Sequence, residues 1–385
     1  MKFEPNSNSN AVMEEGPGKI VMFKPFIPPD AVGEVEKVLN SRWIGQGPKV
    51  EEFEKSFSRF INTETHSAIS VNSGTAALHL AYILCGLDGT GNVLAPALTC
   101  TATNIPLLYD GNKLKWIDTE KEELNVSVED IKIKIDSETK AVVIVNYGGV
   151  PADIESIAEL CKTRNIPLIQ DSAHALGAKI NDKNISEYSD FSIYSFQAIK
   201  HITTGDGGIL VVPKGLEEKA KRLRWFGIDR NAKKNGVWDN DLLEVGYKYH
   251  MNDIAAALGI SALNVFDKVI EQRQELHKRY ELNLANTKNI RVIPQDDPIR
   301  KSIGAAWLCN VIVEDRESLR ELLFKNLIEC GMVHYRNDNY SIFSDFKSKL
   351  SNLDSIESKY LALPLHNHLS IEDVDFICQI INKGW

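Results

Sequence analysis

Ser195-Phe-Gln-Ala-Ile-Lys-His-Ile-Thr-Thr-Gly-Asp-Gly-Gly208 is the stretch on which the reading of the whole chain turns. Its lysine, Lys200, follows an apolar run over 191–195 and precedes the turn residues Thr203-Thr204-Gly205-Asp206-Gly207-Gly208. Most lysines stand on solvated surfaces. This one is set at a strand–turn–strand junction, away from any helical solvent face. Upstream, Ile166-Pro-Leu-Ile-Gln carries another apolar run into Asp171, and Ser-Ala-His-Ala-Leu-Gly-Ala178 follows. Those small residues let a flat ring approach the acid, and His174 lies three positions beyond it.

A partly desolvated lysine loses affinity for its proton, as it must to attack an aldehyde. A carboxylate ending a buried strand can keep a pyridine nitrogen protonated, so that the ring acts as an electron sink. Lys200 and Asp171 therefore read as the pair that pyridoxal 5'-phosphate needs. Ser73-Gly74-Thr75, just past the apolar run at 67–71, has two readings. It is an ordinary helix N-cap, or a phosphate site where helix-start N–H groups and a missing Cβ receive an anion. Ser195 offers a second phosphate hydroxyl, with Gln197 beside it. His174 either bonds a ring hydroxyl or is a satisfied core histidine.

The flanks of this pair predict an α/β fold. Short apolar runs at 67–71, 92–95, 113–117, 141–147, 167–170, 191–195 and 208–212 read as seven strands. Helical spacing fills several gaps, as at 74–85 and 154–163, with further helices at 29–39 and 50–60. Near-continuous Val/Ile runs alternating with helices indicate a mostly parallel sheet covered on both faces. From 251 to 279 the period is helical, which sets the expected domain boundary. Beyond it, a strand at 307–313 and helices at 316–330 and 371–382 suggest a small α+β domain. The expected organisation is a disordered tail over 1–19, a large cofactor-binding domain over 20–250 and a small C-terminal domain over 251–385.

The 385 residues are 43% hydrophobic and 25% charged, enough for both cores. A net charge of -9 argues against nucleic acid as the main partner. The six cysteines include no C-x-x-C pair, which suits free thiols in a reducing compartment. The polar N-terminal segment has no apolar h-region, and no run reaches the ~20 residues of a membrane span. A cytoplasmic location is expected. His366 and His368 lack a third partner at metal-ligand spacing, so no metal is expected.

Further blocks stand in a fixed order around these: Trp43-Ile-Gly-Gln-Gly-Pro, Asn72-Ser-Gly-Thr-Ala-Ala-Leu, Tyr147-Gly-Gly-Val-Pro-Ala-Asp153, Gly246-Tyr-Lys-Tyr-His-Met-Asn-Asp-Ile254 and Leu363-Pro-Leu-His366. Each is weak singly. Together with the Asp171 and Lys200 blocks they resemble the DegT/DnrJ/StrS sugar aminotransferases, nearly from end to end. The resemblance implies the fold type I of pyridoxal-phosphate-dependent transferases. It implies that Lys200 is the Schiff-base lysine and Asp171 the partner of the pyridine nitrogen. It also implies that Gly74, Thr75 and Ser195 hold the phosphate, that His174 lies near the ring hydroxyl, and that the working unit is a homodimer with shared sites.

Three departures qualify it. Thr99-Cys100 replaces a Thr-Phe pair whose aromatic ring stacks on the cofactor. Lys248 stands where the family has an asparagine that reaches the partner's cofactor phosphate, and His250 replaces an arginine. Val333-His-Tyr-Arg-Asn-Asp338 replaces the segment that runs toward the sugar, making His334 and Arg336 candidates for a nucleotide diphosphate. Trp43 and Tyr147 are further substrate candidates. The expected reaction moves an amino group from L-glutamate, by way of pyridoxamine 5'-phosphate, to a keto carbon of a nucleotide-linked deoxysugar, with C4 favoured over C3. One rival is a sugar dehydratase of the same fold, in which a histidine takes the lysine's place. The other is a non-catalytic regulatory homologue.

Overall fold

Among the described residues, thirteen strands carry the architecture: β1 (His66–Val71), β2 (Asn92–Pro96), β3 (Lys113–Ile117), β4 (Thr139–Val145), β5 (Leu168–Asp171), β6 (Lys179–Ile180), β7 (Lys183–Asn184), β8 (Phe191–Ser195), β9 (Gly208–Pro213), β10 (Ile290–Val292), β11 (Ser302–Ile303), β12 (Cys309–Val313) and β13 (Tyr360–Leu363). They come from a computed structural model that describes residues 18–230, 232, 236–237, 239, 241–242 and 244–385. The expected tail over 1–19 therefore lies outside the described residues, apart from 18 and 19.

All seven expected strands join one sheet, in the order β1-β9-β8-β5-β4-β2-β3. The pairs β2–β3, β2–β4, β4–β5 and β5–β8 are parallel, whereas β9 runs antiparallel to β1 and β8. The Val/Ile runs follow from burial on both faces. Ala141, Val143 and Val145 of β4 enter one core, while Val142 and Ile144 enter the other. Strand β4 stops at Val145, short of the expected Tyr147. The next residues turn, with Gly148 and Gly149 at φ of 69° and 97°. Only glycine adopts such angles at no steric cost.

This topology puts the ends of β1, β5 and β8 on one edge, together with the start of β9. Ligands bind at that edge in open α/β sheets. Gly208 pairs across to both Val71 and Ser195.

The C-terminal part is a β10-β12-β13 sheet with helices Phe266–Leu284, Arg316–Lys325 and Ile371–Asn382 around a separate core. One expectation is corrected here. The helical period at 251–279 is two helices, Asp253–Asn264 and Phe266–Leu284, meeting at Val265. The first buries Ala256, Ile260 and Ala262 with Phe53 and Phe57. Residues at the described N-terminus also cross over. Ile20 bridges to Ile328, and His366 and His368 bond the carbonyls of Val21 and Pro25 at 3.1 and 3.0 Å. The two histidines thus anchor the incoming chain. Among the described residues, no helix is long and apolar enough to cross a membrane.

Candidate active site

Ser73 accepts the Ala76 N–H at 3.1 Å and so caps helix Gly74–Leu84. The cap leaves the N–H groups of Gly74 and Thr75 at the helix mouth, where no intrahelical acceptor exists. A Cβ on Gly74 would lie 3.0 Å from Cβ and 3.3 Å from Oγ of Ser195. One on Gly208 would lie 2.8 Å from backbone atoms of Ser73 and Gly74. The missing side chains let Ser195 and the start of β9 close directly on the helix mouth, so that amide donors at a helix N-terminus and the Ser195 hydroxyl form a cup suited to a phosphate. The N-cap reading of Ser-Gly-Thr is met by Ser73, whose hydroxyl is spent on the cap, which leaves the glycine and threonine amides for the phosphate reading. Gly208→Ala is expected to weaken pyridoxal phosphate binding roughly five- to hundredfold, because overpacking against backbone costs about 1–3 kcal/mol. Titration of the cofactor against the purified variant measures it, with circular dichroism as the check on folding.

Asp171 ends β5 with 3% of its surface exposed. Its Oδ2 accepts the Thr103 hydroxyl at 2.6 Å and its Oδ1 the Ala173 N–H at 3.0 Å. Thr103 is in turn bonded to Thr99 at 2.7 Å. Burial pushes the carboxyl above its ordinary range, and the two hydrogen bonds and the charge of Lys200 oppose that. A buried acid in this state is stabilised as carboxylate by a cation placed against it. Thr103 was not singled out in the sequence, since a threonine inside a helix carries no signal of its own.

Lys200 follows a tight turn closed by its own N–H on the Gln197 carbonyl at 2.9 Å. Burial lowers its amine to about 8, against the opposing influence of Cys100 and Asp171. Its Nζ lies 3.8 Å from the ring centroid of Trp307, which is fully buried. Trp307 stacks on His174 at 3.8 Å, and His174 lies parallel to His334 at 5.1 Å. Gly148 donates its N–H to His174 Nδ1 at 3.4 Å, so the proton of that ring is assigned to Nε2. It is donated to His334 Nε2 at 3.3 Å, leaving the His334 proton on Nδ1. Burial holds both imidazoles neutral, His334 being pushed down to about 3. Cys100, Ser195, Lys200 and His334 are each partly exposed, so the site opens to solvent.

Across residues 27–382 the sequence matches the DegT/DnrJ/EryC1/StrS aminotransferase family. The chain belongs to that family. A UDP-4-amino-4,6-dideoxy-N-acetyl-beta-L-altrosamine transaminase from Campylobacter jejuni is 32% identical, over 90% of this chain and 92% of its own. The solved sugar aminotransferase CalS13 from Micromonospora echinospora superposes with a TM-score of 0.89 at 30% identity, over 95% of this chain and 100% of that one. A putative sugar aminotransferase from Streptococcus pneumoniae, solved in a PLP-form, does so with a TM-score of 0.87 at 25% identity, over 95% and 98%. The fold is thus that of the sugar aminotransferases, a type I pyridoxal-phosphate fold, and the protein is an aminotransferase.

The residues present fit pyridoxal phosphate. The glycine-lined cup would take the phosphate and the buried Asp171 a ring cation, and the amine of Lys200 has a lowered proton affinity. Other expected site residues of this aminotransferase are placed differently. Gln197 is exposed, and its Oε1 accepts the Ile199 N–H at 3.1 Å, so it shapes the lysine turn. Lys248 is exposed, its backbone bridged to Trp225 and its ammonium 5.9 Å from the Phe226 ring. Trp43 folds over Gly47 and lines a cavity of 1030 Å3 together with Arg222, Arg224 and Arg230; Lys200 is not in its walls. Nor does Lys200 line the cavities of 380 and 500 Å3.

Three substrate expectations change. Tyr147 is 1% exposed and sits edge-on to His174 and His334, buttressing that pair. Arg336 donates to Asp338 and Asp354 at 2.7 Å and to Glu357 at 3.0 Å. That bonding commits its charge to carboxylates rather than to a diphosphate. His334 is neutral and paired with His174, so it does not supply a cation either. The segment that carries both is latched in place by Asn337, which bonds the Thr99 and Ala97 carbonyls and Asn104.

Proposed function

We propose that this aminotransferase moves the amino group of L-glutamate to C4 of a nucleotide-linked keto-deoxysugar. The product is an amino sugar for glycan assembly, such as lipopolysaccharide O-antigen. The observation that carries the reading is the meeting of Lys200, Asp171 and the Gly74–Ser195–Gly208 cup on one sheet edge. Sugar as the acceptor is supported by the relatives, and C4 by the Campylobacter enzyme, whose name carries a 4-amino group.

Pyridoxal phosphate, when bound, supplies the electron sink that makes the α-hydrogen of the amino donor acidic. The chain does the rest. Gly74, Thr75 and Ser195 hold the phosphate, and Asp171 keeps a positive charge at the ring nitrogen. Lys200 anchors the cofactor between turnovers. Once released, its amine takes the proton from the donor's α-carbon and later returns one on the sugar side. An amine held near 8 serves both directions close to neutral pH, since acid and base forms are then both populated. His174, kept with its proton on Nε2 by the Gly148 N–H, can donate toward a ring hydroxyl by giving up its bond to His334.

The working unit is a cytoplasmic homodimer in which Lys248 of each chain extends toward the cofactor phosphate of the other. Its outward, exposed setting supports this reading. The test is a panel of 3-keto and 4-keto sugar nucleotides with glutamate, each product analysed by mass. Amination of a 4-keto sugar with release of 2-oxoglutarate is expected. Amination confined to 3-keto sugars overturns the position, and loss of oxygen without use of glutamate overturns the reaction.

A further inference from the structure

We propose that Trp307 is a positioning residue for Lys200: its indole grips both the free amine of that lysine and the backbone just before it, so that the released amine returns to one place. The proposal rests on reading Lys200 as the cofactor lysine. Lys200 Nζ stands 3.8 Å from the ring centroid, well inside cation–π range. The same indole donates its Nε1–H to the Ile199 carbonyl at 3.0 Å. One side chain thereby holds residue 199 by its backbone and residue 200 by its charge.

Trp307 is itself immobilised. It is fully buried and packs against His174 at 3.8 Å and Phe23 at 5.8 Å. On either side of it, Ala305 and Leu308 donate their N–H groups to Gly149 and Gly148, both at 2.9 Å. A Cβ on Gly149 would meet the Trp307 nitrogen at 2.9 Å, so the double glycine is what lets this segment come so close. Arg273 donates to the Trp307 and Leu365 carbonyls at 3.4 and 3.0 Å. The small domain thus reaches across to the lysine through a ring that cannot turn.

An aromatic face favours the ammonium over the free amine. Burial acts on Lys200 in the opposite sense, and the acidic groups facing it are Cys100 and Asp171. His174, His334 and His201 also face it, and burial keeps all three neutral. Taking the ring away removes a contribution that holds the proton on, so the titration midpoint of the amine falls.

The test uses cofactor-free full-length protein. Acetylation of Lys200 by acetic anhydride is followed against pH by peptide mass. Trp307→Leu is expected to lower the midpoint by about one unit, and Trp307→Phe, which keeps a weaker aromatic face, by less. Fluorinated tryptophans at position 307 keep the volume and are expected to lower it stepwise as fluorines are added. A midpoint unmoved by fluorination, or an equal fall in the Phe and Leu variants, overturns the proposal. Should the Leu variant not fold, the fluorinated series alone decides. Failure of the wild-type protein to take up cofactor would count against the aminotransferase chemistry, and leaves this titration readable.

Discussion

Lys200→Ala is expected to remove the visible band of the lysine-linked cofactor and to lower glutamate-dependent turnover by at least about 10⁴-fold. Proton transfer by a positioned side chain is worth roughly 10²–10⁴, and the covalent anchor is lost as well. No neighbour can take over. His201 is adjacent, but its Nε2 is bonded to the Ala305 carbonyl at 2.6 Å and burial keeps it neutral, far below its ordinary range. His174 and His334 are tied to each other. The phosphate cup is untouched in this variant, so the cofactor still binds, now without a covalent link. Absorbance spectra and steady-state rates check both halves. A variant that keeps its colour and its turnover means that another lysine does the work.

Asp171→Asn has the next largest expected effect, a fall of about 10²–10³ in turnover, the cost of removing a preorganised charge from a buried site. The amide matches the shape of the carboxyl, keeps its oxygen for the Ala173 N–H and turns its NH2 to the Thr103 hydroxyl, which can accept as well as donate, so folding is spared. What is lost is the negative charge that steadies a ring cation. Because burial raises the carboxyl of Asp171, the wild-type rate declines on the acid side as that group takes a proton. The variant has no such group, and its acid limb flattens. Rate measurements between mildly acidic and neutral pH distinguish the two shapes. An unchanged acid limb in the variant assigns the decline elsewhere.

Much of this site was legible before any coordinates, because its parts are local. Strand runs, a turn rich in glycine and an acid at a strand end are written in consecutive residues, and all seven strands fell where periodicity put them. The phosphate cup was half legible. Ser-Gly-Thr announces a helix start, but only the pairing of Gly208 with both Val71 and Ser195 shows why glycine is needed at 74 and 208. What the sequence hid depends on contacts between distant segments. Trp307 lies more than a hundred residues from Lys200 and read as the start of a strand. In fact the strand begins at Cys309, because the preceding residues bond the Gly148–Gly149 turn and Ala306 adopts a φ of 48°. Arg336 and Tyr147 misled for the same reason, since a free charge and a committed one share one letter. Cys100 opens helix Thr101–Tyr109 beside Lys200, and the aromatic surface there comes from Trp307 and the two imidazoles.

Whether Lys200 is the residue bound to the cofactor can be measured without any mutation. Protein loaded with pyridoxal phosphate is reduced with borohydride, digested, and its peptides are weighed. The cofactor's mass is expected on the peptide containing Lys200, and pre-incubation with glutamate is expected to prevent the attachment. Cofactor fixed on a different lysine would contradict that assignment, and attachment to Lys200 that glutamate does not displace would rule out glutamate as the donor.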